Sequence, residues 1–250
     1  MPSKATLEGA LARYANSLTT KQSSNSRSSN LVDLDEWYRT ELRDTLNRRR
    51  EDGKKLYYLE KEELEKLMQW KLSRGKWRPR LESLIASNSS ASIDSSTSFD
   101  SSLFPLSPDS SKQLLNKLCE LKGVGPATAS GILAAFDPEN EPFMSDQALE
   151  FVHSRSDDAK DERPAKREYT VKAWEGFREK MMERKEEEGW ESMERLEMAL
   201  FSWGIERELG KSEEESGTDG AEEEKEVEGK GKRKNTGNGT KTLTKKRKSS

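Results

Sequence analysis

Two short stretches of this 250-residue chain hold residue types at spacings that could do chemistry. The first is LKGVGPATAS, residues 121–130. Glycines at 123 and 125 permit backbone angles that a Cβ resists and let another backbone approach closely. Pro126 suits the first position of a helix, where its missing N–H costs nothing. The small residues after it let that helix pack near its predecessor. The expected product is a tight turn between two helices, with N–H groups facing outward at a positive helix end. Such an arrangement takes an anion, most often a phosphate. Its candidate contacts are Lys122, Gly123, Val124, Gly125, Ala127 and Thr128. The second stretch is PFMSDQALEFV, residues 142–152, where Asp146 follows Ser145 at the start of a short expected helix. From the residues alone, Asp146 reads most simply as an acid that complements the helix dipole.

A third stretch, RGKWRPR, sets Arg74, Lys76, Arg78 and Arg80 around Trp77. Cations interleaved with an aromatic suit a nucleic-acid surface; a solvated turn with Trp77 in the core is the plainer reading. His153 is either a general base near Asp146 or an ordinary helix residue. Cys119 reads as a small core residue rather than a nucleophile. One cysteine excludes an intrachain disulfide and fits a reducing compartment. One cysteine and one histidine cannot form a zinc site of ordinary type.

The elements that must position these residues are helical. Leu34, Trp37, Tyr38, Leu42 and Leu46 fall on one face, and Leu64, Leu67, Met68 and Leu72 on another. Pro79 opens a third helix with Leu81, Leu84 and Ile85. Ser107, Pro108 and Asp109 are the cap, first residue and first-turn acid of the helix that leads into the glycine turn. Two long helices follow a charged stretch at 155–168: one buries Val171, Trp174, Phe177 and Met181, the other Trp190, Met193, Leu196, Leu200 and Trp203. No segment alternates as a strand does, so an all-α body is expected. Residues 1–30 hold one possible short helix (Leu7, Leu11, Tyr14, Leu18) and are otherwise expected to be flexible. The body spans 31–209, with a Ser-rich linker candidate at 86–111, and 210–250 is a disordered tail.

The pattern L-x-G-x-G-x-x-T-A between helices resembles the helix-hairpin-helix motif of DNA-binding proteins, and Asp146 stands 23 residues beyond Gly123, the spacing found in the helix-hairpin-helix DNA glycosylase superfamily. With WKLSRGKWRPRL and PFMSDQAL, the chain is similar to the eukaryotic Amun group of that superfamily over about residues 31–209. The resemblance implies a helical glycosylase-like fold that binds DNA through the turn, and the cations Arg74, Lys76 and Arg78 of the third stretch are candidates for further DNA contacts. It implies that Asp146 stabilises the oxocarbenium-like sugar as a base departs, or positions water. The amine nucleophile of bifunctional members corresponds to Ala127 here, so lyase chemistry through that position is excluded and base excision alone remains open. Cluster-bearing members use four cysteines. One is present, and neither a cofactor nor a metal is expected.

Charge bears on partners. Residues 86–150 hold nine acids and three lysines, a net of −6 around the turn, whereas DNA affinity rests largely on phosphate neutralisation by cations. Residues 211–230 carry −6 and 231–250 carry +8, an acidic block followed by a basic one. GKRK and then Lys245, Lys246, Arg247 and Lys248 resemble a two-part nuclear import signal; a solubilising basic end is the alternative. No apolar run is long enough to span a bilayer and there is no signal peptide. The expectation is a nuclear protein with DNA as partner, no membrane association, protein partners for the charged tail, and oligomeric state open. Three functions remain open: a monofunctional glycosylase, a catalytically idle nucleic-acid binder, and an interaction scaffold.

Overall fold

The computed structural model describes residues 2–24, 30–51, 56–152 and 167–217, with side chains to 208. Its helices are α1 (Lys4–Ala12), α2 (Tyr14–Ser24), α3 (Leu31–Arg39), α4 (Glu41–Glu51), α5 (Lys61–Arg74), α6 (Pro79–Ala86), α7 (Ser90–Thr97), α8 (Pro108–Leu118), α9 (Pro126–Phe136), α10 (Asp146–Phe151), α11 (Val171–Glu188) and α12 (Met193–Gly217). Two residues each of β1 (Leu56–Tyr57) and β2 (Phe99–Asp100) pair antiparallel, Leu56 opposite Asp100 and Tyr57 opposite Phe99. The chain is predominantly helical, as its periodicity predicts.

Helix α9 is the axis of the body. From Ala127 to Phe136 every residue is buried, because a run of alanines, Gly131 and short polar residues presents no face that needs water. α5, α8, α4 and α11 surround it. Tyr38 stacks on Trp70 with centroids 3.7 Å apart, and its hydroxyl donates to the Gly131 carbonyl at 2.7 Å. Trp70 in turn lies 4.8 Å from Phe143, so the aromatic layer reaches the loop that leads to Asp146. α12 packs along α1, α2, α10 and α11.

Two segments differ from the sequence expectation. Residues 4–24, expected to be mostly flexible, form α1 and α2, and Leu7, Ala10, Tyr14 and Leu18 are buried. The polar composition hid a helix pair in which Tyr14 and Leu18 meet Phe201 and Ile205 of α12, and Leu7 and Ala10 join the main core. The Ser-rich stretch 86–111 is packed structure rather than linker. Ile93, Phe99 and Leu106 enter the core, while serines cap its helices: Ser89 accepts from Ser92 N–H at 3.1 Å and Ser107 from Ser110 N–H at 3.2 Å. Serine there is helix-starting chemistry, worth about 1 kcal/mol per cap. In α6 only Ile85 is buried, and Leu84 is 42 % exposed. Trp190 is buried just before α12, after Gly189 ends α11 at φ +66°.

A buried ion network ties the first helices to the last. Asp35 accepts from Tyr14 Oη at 2.8 Å, Trp70 Nε1 at 2.8 Å, Arg39 Nε at 2.9 Å and Arg74 Nη1 at 3.0 Å. Arg74 Nη2 donates to Glu197 at 2.7 Å, and Arg39 and Arg43 both reach Glu194. Burial works to raise the Asp35 carboxyl, but the Arg39 and Arg74 guanidinium groups outweigh it and hold it well below the usual carboxylate range.

Candidate functional site

The turn after α8 is built by two devices. Gly123 sits at φ +82°, a left-handed conformation, and a Cβ there would lie 3.0 Å from Leu84 Cβ and 3.2 Å from the Ile85 backbone nitrogen. Glycine at 123 is therefore required by the fold itself. Asn88, just past α6, then clamps the turn: its Oδ1 accepts from Lys122 N–H at 3.0 Å and its Nδ2 donates to the Lys122 carbonyl at 2.9 Å. Nothing in a Ser-rich stretch marks Asn88 as such an anchor.

Gly125 behaves differently from expectation. It caps α9 in extended backbone, φ −110° and ψ 179°, which any residue adopts. A Cβ there would meet nothing within 4 Å. The fold does not need glycine at 125, and the space before it is open. Among the described residues, the N–H groups of Gly123, Gly125 and Ala127 have no acceptor, while Thr128 N–H is taken by the Gly125 carbonyl at 2.8 Å. The side chains of Val124, Ala127 and Thr128 are buried, so these residues can offer a ligand only backbone. Lys122 is exposed.

Asp146 is the first residue of α10, capped by Ser145, whose Oγ accepts from Ala148 N–H at 3.3 Å. Ser130 of α9 fixes the preceding loop: its Oγ accepts from Met144 N–H at 3.0 Å and donates to the Ala127 carbonyl at 3.1 Å. The turn and the carboxylate are thus registered against one another by a single buried hydroxyl. Both carboxylate oxygens of Asp146 are engaged. Tyr169 Oη donates to Oδ1 at 2.6 Å and Arg167 Nη1 to Oδ2 at 3.0 Å, with Asp146 13 % and Arg167 34 % exposed. Arg167 also pairs with Glu150. Burial, and then the hydrogen bond to Asp146, push the Tyr169 hydroxyl well above its ordinary range, so it stays protonated and donating. Tyr169 and Arg167 come from the charged stretch before α11, where no sequence pattern distinguished them.

A cleft of about 160 Å³ joins these parts. Its walls come from Lys71, Lys76 and Arg78, from the turn at Gly123, Gly125 and Ala127, and from Asp146 with Tyr169. Lys76 and Arg78 are exposed, and the Arg78 guanidinium lies 5.4 Å from the Tyr169 ring centroid, within cation–π range. Arg74 must be withdrawn as a nucleic-acid contact. It is 2 % exposed and spent on Asp35, Glu197 and Tyr14, so its charge is neutralised inside the protein. Trp77 is partly buried against the core.

Charges tallied along the chain mislead about this surface. Glu141, counted against the turn, is buried on Arg178 at 2.7 Å, and Asp146 and Glu150 share Arg167. The cleft brings Lys71, Lys76 and Arg78 together against one carboxylate. Lys71, on the last turn of α5, drew no notice in the sequence. Burial pulls its ammonium down to about 8, with Asp146 opposing and Arg78 reinforcing the fall. Burial pushes the Cys119 thiol up to about 11, so it is not a thiolate at neutral pH. His153 and the 245–248 cluster lie outside the described residues, and among those described no group of His, Cys, Asp and Glu side chains could hold a metal. No described helix is long and apolar enough to cross a membrane. No family model, curated protein or solved structure matches the chain.

Proposed function

We propose that this chain is a nuclear DNA-binding protein of the helix-hairpin-helix glycosylase type, with base excision at Asp146 as its chemistry. One observation carries the reading: three segments distant in sequence, 71–78, 123–128 and 143–147, line a single cleft. It combines unpaired backbone donors, exposed cations and a carboxylate. A phosphate at the turn would meet the Gly123, Gly125 and Ala127 N–H groups and the positive end of α9. Lys122, Lys76 and Arg78 would neutralise its neighbours. A nucleotide turned out of the stack would then face Asp146, whose carboxylate opposes the positive charge that grows on the sugar as the base leaves. Tyr169 and Arg167 hold that carboxylate in place.

The engagement of both Asp146 oxygens favours a second reading, a nucleic-acid binder that retains the fold without excision. The two separate in one experiment. Full-length protein is incubated with duplexes that each contain one modified base, and released base is measured by mass spectrometry. Release that Asp146→Asn abolishes, with duplex binding kept, supports excision. Binding without release over a broad lesion panel supports the second reading. The basic cluster at 245–248 would deliver the protein to the nucleus, and its replacement by alanine should leave a tagged chain in the cytoplasm.

A further inference from the structure

Of the eight prolines in the chain, Pro108 alone follows a serine or threonine. Pro105 stands two residues before that serine, so residues 105–108 read P-L-S-P. The backbone is extended at Phe104 (φ −91°, ψ 141°) and at Ser107 (φ −65°, ψ 160°), and along an extended chain successive side chains point to opposite sides. Leu106 accordingly turns into the core, while Pro105, Ser107 and Pro108 are exposed. The Leu106 carbonyl accepts from Arg178 Nη2 at 3.2 Å, so the segment is held in this orientation by the body beneath it. The Ser107 hydroxyl is engaged only within its own cap. Its Oγ accepts from Ser110 N–H at 3.2 Å and donates to Ser110 Oγ at 2.9 Å. A cap needs an acceptor oxygen there, which Asn or Asp also supplies; the proline two residues before it serves no part of that cap.

We propose that Ser107 is a phosphorylation site, presented by the folded protein to a proline-directed kinase that reads Pro105 and Pro108. Proline has no backbone N–H. A kinase groove with no acceptor after the serine therefore takes proline without loss, whereas any other residue would leave a buried donor unsatisfied. The third residue after Ser107 is the uncharged Ser110, so a kinase that needs a cation there is disfavoured. The positions that are read all face outward, and the kinase need not pull Leu106 from the core. In the reaction Ser107 Oγ attacks the γ-phosphorus of ATP. A new O–P bond forms as the bond to the β–γ bridging oxygen breaks, ADP leaves with that electron pair, and the hydroxyl proton passes to the kinase's catalytic aspartate. The product keeps the cap, because phosphate oxygens accept from Ser110 N–H and Oγ in place of the hydroxyl, and their charge lies at the positive end of α8. Asp109 opposes that charge, and Lys112 nearby is already held by Glu175 at 2.8 Å. Ser107 begins α8 at the end away from the glycine turn and lines no part of the cleft. The site is therefore independent of the DNA reading.

The test is phosphorylation of the folded full-length protein. It is incubated with ATP and a purified mitogen-activated protein kinase, and in parallel with a purified cyclin-dependent kinase, which favours a basic residue three positions after the serine. Phosphate is counted by intact mass and placed by peptide mass mapping. The expected product carries one phosphate, on Ser107, formed at least tenfold faster by the first kinase than by the second, with a melting temperature no lower than before. Ser107→Asn keeps a favoured cap residue and should take no phosphate. Pro108→Ala keeps a residue that suits a helix and should slow the reaction at least tenfold. A synthetic peptide of residues 101–112 supplies the unfolded reference, and the folded protein should react within about threefold of its rate. If the peptide is phosphorylated and the folded protein is not, the presentation of Ser107 by the fold is overturned. Phosphate on other serines, with Ser107→Asn modified as well as wild type, overturns the site. Equal rates with the two kinases overturn the assignment to a kinase that reads Pro105.

Discussion

At the residue scale, the proposed chemistry of the cleft is tested at Tyr169, which holds Asp146, and at Lys71, which lines the same cleft. Tyr169→Phe removes one of the two donors to Asp146. A neutral phenol donating to a carboxylate contributes about 1–3 kcal/mol, so Tyr169→Phe should lower stability by an amount in that range and base release should fall by roughly tenfold or more. A parallel melting curve and rate measurement check this. Lys71 gives a pH signature independent of activity. Its folded-state value, about 8, lies below the 10.5 of a lysine in open water. Below about pH 8 the lysine is charged in both states, and the folded protein bears the full penalty of holding that charge partly buried. Between about 8 and 10.5 the unfolded chain binds more protons than the folded one, so stability rises with pH. Lys71→Met should therefore stabilise the protein near pH 7 by about 1–2 kcal/mol, and the difference should shrink towards pH 10 in denaturant titrations at each pH. A variant that is less stable at pH 7 would contradict this.

At the element scale, the two glycines of the turn have different jobs, and substitution separates them. Gly123→Ala forces a Cβ into left-handed backbone and against α6, and should destabilise by about 1–3 kcal/mol. Gly125→Asp places a favoured N-cap residue in extended backbone with open space before it. Stability should hold or rise by a few tenths of a kcal/mol, while the added carboxylate opposes any phosphate at the turn. The sequence showed the turn, its flanking helices and the Ser107–Pro108 start of α8, because glycine, proline and capping residues act locally. It did not show which glycine serves the fold, since that depends on α6 approaching from 35 or more residues away. Asn88, Tyr169 and Lys71 escaped for the same reason: each acts through a partner or a cleft wall that no local period encodes. Serine-rich composition hid α7 for a different cause, as capping serines and linker serines look alike in one sequence. The apolar positions of α3, α5, α8, α11 and α12 were legible because helical burial repeats along the chain.

At the scale of the whole molecule, the Asp35 network fastens α2, α3, α5 and α12 behind the cleft, and its arginine Arg74 follows Lys71 by one turn of α5. Asp35→Ala leaves Arg39 and Arg74 buried with less compensation and should cost about 3–5 kcal/mol. The carboxyl is held below its unfolded value of 3.8, so its contribution is complete above about pH 4 and is lost as pH falls further. Wild-type protein should lose more stability in that range than Asp35→Ala does, measured as denaturation midpoints at pH 5 and pH 3. The acidic and basic blocks of the tail add a separate electrostatic contribution to any DNA affinity, so bulk binding alone does not locate the site. The measurement that tests the account most directly is titration of a fluorescent duplex, with and without an abasic-site analogue, by full-length wild type and Gly125→Asp at two salt concentrations. The account predicts salt-sensitive binding that prefers the abasic duplex, and a loss of at least tenfold in Gly125→Asp with an unchanged melting temperature. Equal binding by the two proteins, with no preference for the abasic duplex, would contradict it.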